Sequence, residues 1–129
     1  MELLKDKIVK FKNGVRVLNV TPHPIRFQDG DELVEVEPSG VVINARIEEE
    51  VVKEGVPMLV TSTFKPDKDS EEALSKIEKE FPGVLVVGSV IAAQAFPGRV
   101  VGMVPVEGFE RVPPEEKRLR SDKLTRFER

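Results

Sequence analysis

The chain has 129 residues, 40% of them apolar and 33% charged, with a formal net charge of −3. That is one domain with room for a real core, and it excludes both a disordered acidic tail and a membrane span, since no apolar run approaches the ~20 residues a bilayer needs. The absence of cysteine excludes disulfides, thiol catalysis and thiolate metal sites, and the single histidine excludes a two-histidine metal centre within one chain.

Met1 to Lys7 carries charge where a signal peptide would carry its apolar stretch, so a soluble, cytoplasmic protein is expected. With seven Phe and no Trp or Tyr, the core must be built from Val, Ile, Leu and Ala. Asn and Gln are scarce beside Lys and Glu, a bias shared with proteins of hot environments, so a thermostable chain is expected. Residues 1–28 and 112–129 are basic on balance and residues 29–54 strongly acidic. The acidic middle argues against a nucleic-acid-coating surface, although the basic ends could meet in a small positive patch.

Turn signals divide the chain into short pieces. Ile8 to Phe11 and Val15 to Val20 flank Asn13-Gly14 and read as a hairpin, because Asn-Gly supplies the positive φ of a tight turn; residues 3–11 also fit a short helix. Ile25 to Phe27 and Leu33 to Val36 flank Asp29-Gly30-Asp31 as a second hairpin with one wet face. Pro38-Ser39-Gly40 is a turn, and Val41-Val42-Ile43 opens a strand. Val56 to Phe64 is long and β-branched enough for a buried strand.

Asp69 or Ser70 caps a helix from Ser70 to Phe81, with Leu74, Ile77 and Phe81 on one stripe and Pro82-Gly83 as its stop. Val84 to Val87 is a second buried strand, Val90 to Phe96 an apolar helix ended by Pro97-Gly98, and Val100 to Val106 a last strand. The order from Val56 onward is βαβ-like and sets 56–64 parallel to 84–87. The expected fold class is α/β or α+β: a mixed sheet with N-terminal antiparallel hairpins, a βαβ-like second half and a C-terminal helix or arm. Residues 1–112 form the globular domain. Residues 113–129, with Leu119, Leu124 and Phe127 along one face, pack on their own domain or dock on a second subunit.

Chemistry concentrates in two segments. In Asn19-Val20-Thr21-Pro22-His23-Pro24, two prolines fix the backbone on either side of the only histidine, a rigid placement that suits ligand contact or proton transfer and also a plain strand-ending corner. Gly88-Ser89 lies between a buried strand and a helix, where Ser89 can cap the helix, Gly88 can admit a ligand, and open α/β sheets bind theirs. If 56–64 neighbours 84–87, Ser62 and Thr63 reach the same edge, and Arg99 is the nearest downstream cation for an anion. No Gly-x-Ser-x-Gly elbow supports a serine nucleophile. Asp29/Asp31 and Glu48-Glu49-Glu50 read as a turn and a solvated run, and no metal or cofactor is expected.

Val17-Leu18-Asn19-Val20-Thr21-Pro22-His23-Pro24-Ile25 resembles the opening of small phage and prokaryotic proteins that begin Asn-Leu-Thr-Pro-His, with Val20 where those have Leu. The stretch from Val87-Gly88-Ser89 to Phe96-Pro97-Gly98-Arg99 is similar to that family's strand–serine–helix–proline–arginine segment, and Arg118 to Phe127 to its tails. Val100-Val101 follow Arg99 where some relatives carry acids. The resemblance implies that 19–24 and 89–99 belong to one module; it implies no reaction.

The expected function is a small-ligand domain for a nucleotide or other anionic metabolite, using His23, Asn19, Thr21, Ser62, Thr63, Ser89 and Arg99. The alternative is a homo-oligomeric structural or interaction module joined through the C-terminal arm, without a small ligand. An enzyme with His23 as general base is a third, with few partners for it in the chain. Membrane and nucleic-acid partners are not expected.

Overall fold

The computed structural model describes residues 2–128. In chain order the elements are α1 (Glu2–Lys5), β1 (Val9–Lys10), β2 (Arg16–Asn19), β3 (Ile25–Asp29), β4 (Glu32–Val36), β5 (Ala45–Lys53), β6 (Leu59–Pro66), α2 (Lys68–Glu80), β7 (Leu85–Val87), α3 (Val90–Ala95), β8 (Val100–Pro105), a 3-10 turn (Pro114–Glu116) and β9 (Leu119–Thr125). Seven strands form one sheet in the order β1-β2-β7-β8-β9-β3-β4, while β5 and β6 form a separate antiparallel ribbon. The protein is a mixed α/β fold: β2, β7 and β8 run parallel, flanked by the antiparallel pairs β1–β2 and β3–β4.

Local chemistry explains most elements. Gly14 takes φ 90° in the first turn, and Asn13 Oδ1 accepts the Val15 N–H at 3.0 Å. Asp67, not Asp69 or Ser70, caps α2 by accepting the Ser70 N–H, so the helix starts two or three residues earlier. Leu74 and Ile77 are buried on its inner stripe. Ser89 caps α3, whose Ala92, Ala93 and Ala95 are small enough to lie flat against the sheet.

The sheet is strongly curled. In a flat sheet β2 and β4 would stand five places apart, roughly 24 Å at ~4.8 Å per strand. Yet Asn19 Nδ2 at the end of β2 donates to Val36 O at the end of β4 at 3.0 Å, and Asn19 bridges to Pro38. Seven strands therefore wrap into a nearly closed barrel. Its inside is one core cluster, with Val17, Val87, Val101, Ile25, Phe27 and Val36 fully enclosed and Leu119 and Leu124 packed against them. Phe11 and Phe27 meet there at 5.0 Å between ring centroids.

Alternate residues of the same strands, Leu18, Val86 and Val100, point outward into a second cluster with Leu74, Ile77 and Phe96 from the helices. The two-residue period of a strand thus splits one sheet between two cores.

Three expectations are corrected. The partners of β7 are β2 and β8, so residues 56–64 are not its parallel neighbour. The Val56 to Phe64 run lies in the β5–β6 ribbon, exposed from Val56 to Thr63, and Val41 to Ile43 precedes strand β5 without joining it. The C-terminal segment is not a helix: it is strand β9, packed on its own domain. Its helix formers are overridden because the slot between β8 and β3 needs a strand, and Leu119, Leu124 and Phe127 pack within their own chain.

Candidate functional site

The organising residue is Asn19, completely buried where β2 ends. Its Nδ2 donates to His23 O at 2.7 Å and Val36 O at 3.0 Å, and its Oδ1 accepts the Thr21 N–H at 2.8 Å. The Thr21 hydroxyl lies 2.7 Å from Asn19 Oδ1 and 2.9 Å from His23 O, and accepts the His23 N–H at 3.3 Å. Asn19 and Thr21 therefore spend their polar atoms inside the protein, folding residues 19–24 into a fixed loop. Every hydrogen bond at His23 runs through its backbone, and its side chain is left exposed.

That loop forms one wall of a cleft of about 310 Å³ at the mouth of the barrel. Ile25, Met103 and Leu119, which belong to or border the inner core, make its floor. Pro22, Pro24 and Pro114 stiffen its sides, and His23, Arg26, Ser89 and Lys117 carry its polar groups. No Asp or Glu lines it. The Ser89 hydroxyl accepts the Ala92 N–H at 3.1 Å, which occupies an oxygen lone pair and leaves the hydroxyl proton to be donated. An apolar floor under hydrogen-bond donors and cations suits a ligand with an apolar or planar body and an anionic end.

Of the residues singled out in the sequence, His23, Thr21 and Ser89 meet at this cleft. Arg99 does not. Its guanidinium grips α2, donating to Glu78 through Nε and Nη2 at 3.0 and 2.8 Å, to Glu71 through Nη1 at 2.7 Å and to Ser75 at 3.2 Å. The hydrogen bond to Glu78, more than the added contact with Glu71, raises its pKa above the ordinary guanidinium range against the opposing effect of burial. Arg99 is a clamp between the α3–β8 turn and α2. Ser62 and Thr63 stand on the exposed ribbon opposite Glu49 and Glu48 and take no part in the cleft.

Gly88 has a packing role. A Cβ there would stand 2.8 Å from Val100 Cγ1 and 3.4 Å from Val20 Cγ2, so glycine is what lets β7 turn into α3 between two outer-core valines. Gly88→Ala should cost about 1–3 kcal/mol by overpacking, read as a shifted denaturant midpoint. An unchanged midpoint would show that the valines yield freely.

Arg26 and Lys117 went unnoticed in the sequence. Arg26 had a signal, since it alternates with the inward Ile25 and Phe27 and follows the Pro-His-Pro corner directly. Lys117 had none, because its place depends on β9 entering the sheet.

A larger open groove, about 730 Å³, lies at the other end of the barrel, but its Arg120 is held by Asp122 at 2.8 Å and its Asp29 by the Lys12 N–H at 3.0 Å. Among the described residues no three His, Asp or Glu side chains gather as a metal site would need, and no helix is long and apolar enough to cross a membrane.

Fold and site together define a curled mixed α/β barrel with an apolar, cation-rimmed cleft beyond the carboxyl ends of β2 and β7. Comparison with family models, curated proteins and solved structures finds no match to the chain.

Proposed function

We propose that the protein binds a small anionic molecule with an apolar or planar body, such as a nucleotide or an aromatic carboxylate, in the cleft beside His23. The observation that carries this reading is the rim: His23, Arg26, Lys117 and Ser89 surround an apolar floor with no carboxylate among them, on a chain whose net charge is negative. The cleft lies beyond the carboxyl ends of the parallel strands β2 and β7, at the mouth of the barrel. The exposed His23 ring supplies a further N–H donor. No carboxylate lines the cleft to orient the His23 ring, so binding rather than catalysis is the reading.

The test is a thermal-shift screen of the full chain with nucleoside phosphates and aromatic and aliphatic carboxylates. At a hundredfold excess over Kd a ligand stabilises by about 2.7 kcal/mol, a shift of several degrees. The double variant Arg26→Ala/Lys117→Ala should lose that shift while keeping the melting temperature of the free protein, because both side chains lie outside the two cores. A panel that leaves the wild-type melting temperature unmoved, or a shift that survives in the double variant, would remove the proposal.

A further inference from the structure

The β5–β6 ribbon has the composition of an interior and the surroundings of an exterior. Ile47, Val51, Val52, Val56, Met58, Leu59 and Val60 are all at least 39% exposed. Seven such side chains, each showing on the order of 100 Å², together expose more than the patches usual on a monomer, with Ile47, Val51 and Val60 on one face of the ribbon and Leu59 on the other.

The register sorts the ribbon into two faces. Ile47 opposite Phe64, Glu49 opposite Ser62 and Val51 opposite Val60 share one face with Ala45. Ala45 and Phe64 press into the outer core beside α3, so this face starts as core at the root and runs uncovered to the tip. Arg46, Glu48 and Glu50 lie on the other face, opposite Lys65, Thr63 and Thr61.

The two edges differ as well. Each strand has a single partner, leaving the outer edge of both open. The β5 edge carries Glu48-Glu49-Glu50, the kind of charge that blocks strand addition, whereas Leu59 to Phe64 on β6 carries none. Two β5 edges would set three glutamates against three; two β6 edges set Val, Thr and Ser against each other.

We propose that this ribbon is a dimerisation arm whose occupant is a second copy of the chain, β6 pairing antiparallel with β6 about a two-fold axis. The result is a four-stranded sheet, β5–β6–β6–β5, an isologous contact made by strand addition. Because the strands run in opposite directions, the tip of each arm reaches the root of the other. The axis stands normal to the sheet, which keeps both apolar faces on the side where α3 packs. There the exposed Val90 and Ile91 of the other copy are available to cover Met58 and Val60.

The natural absence of cysteine makes the test direct. Single cysteines are placed in turn at residues 59–64 of the full chain, with Asp31→Cys in the exposed β3–β4 turn as a remote control, and disulfide-linked dimer is followed under mild oxidation. Antiparallel neighbours lie at the Cα separation a disulfide accepts. One position near Thr61 or Ser62, where the axis passes, should crosslink on the order of a hundredfold faster than the control, set by millimolar effective concentration against micromolar protein. Rates should fall on either side of that position. Light scattering of the uncrosslinked wild type should give twice the monomer mass.

A monomeric wild type, equal rates along 59–64, or no crosslink above the control would each overturn the proposal. The last of these in a dimeric protein would place the interface elsewhere. The variants at residues 59–63 need no refolding of a core, since those residues are exposed and belong to neither cluster, whereas the Phe64 variant, at a position packed against the outer core, is compared only after its melting temperature is shown to match wild type.

Discussion

A chain ending at Lys117 should fail to fold, showing no cooperative melting and losing most of its far-ultraviolet β signal. Only the last dozen residues are removed, but β9 sits between β8 and β3, pairing Leu119 with Phe27 on one side and Leu124 with Met103 on the other. Without it the β3–β4 hairpin is tied to the rest of the sheet only through Asn19 and its neighbours at one end and the contacts of Lys12 with Asp29 and Glu32 at the other, and the barrel opens. Leu119 and Leu124 leave the inner core and Phe127 leaves the outer one. The Ser121 hydroxyl also ceases to donate to Gln28 O at 2.9 Å. These three side chains are half-buried, so each contributes part of the about 1.5–3 kcal/mol that a fully buried one does. Added to two lost ladders, their loss reaches the whole ~5–15 kcal/mol of a typical domain. A truncated chain that melted sharply within a few degrees of wild type would show that the barrel closes without β9.

The second large effect belongs to one side chain. Asn19→Ala should destabilise by about 3 kcal/mol, since it leaves the buried Val36 carbonyl without its side-chain donor and the Thr21 N–H without its acceptor, and takes one of two donors from the His23 carbonyl. For a chain of this length that lowers the melting temperature by roughly 10 °C.

Asn19→Asp provides the sign. It keeps the acceptor but places a carboxylate against two carbonyl oxygens, so burial and repulsion raise its pKa above the unfolded value. A raised folded-state pKa means the folded form holds the proton more tightly, so the deficit relative to wild type should be largest at neutral pH and shrink as the pH falls through that pKa. Denaturant titrations of both variants at several pH values measure it. A loss below about 1 kcal/mol in Asn19→Ala would mean that the barrel seam is closed by backbone alone.

Much of the local structure was legible. Asn13-Gly14 and Asp29-Gly30 gave both hairpins, the Leu74–Ile77 stripe and Pro82-Gly83 gave α2, and Ser89 gave the start of α3. Of the cleft, the Pro-His-Pro corner and Ser89 were visible because both are local devices: prolines that fix φ and a hydroxyl that caps. Long-range choices were not. Strand β2 chooses β7, whose sequence lies beyond two hairpins and a helix, and nothing in Val17-Leu18-Asn19 names that partner. Arg99 reads as a free cation until α2 brings Glu71 and Glu78 to it.

Two segments misled for opposite reasons. Residues 119–125 have the charged, leucine-bearing composition of a helix, yet an open slot between two strands offers ladder bonds on both sides and outweighs a propensity of a few tenths of a kcal/mol per residue. Residues 56–64 have the composition of a buried strand, and within a single chain nothing buries most of them.

The hairpin turns, the Ser89 cap and the alternation of inward and outward residues in the hairpins were thus settled by the sequence alone, because each depends on the dihedral preferences and spacing of residues a few positions apart. Strand order, the curl that brings Asn19 to Val36, and the meeting of His23, Arg26, Ser89 and Lys117 were settled only in the folded molecule. Burial energy is non-directional: it rewards an apolar strand face wherever it is covered, and which neighbour covers it depends on how all the elements pack at once.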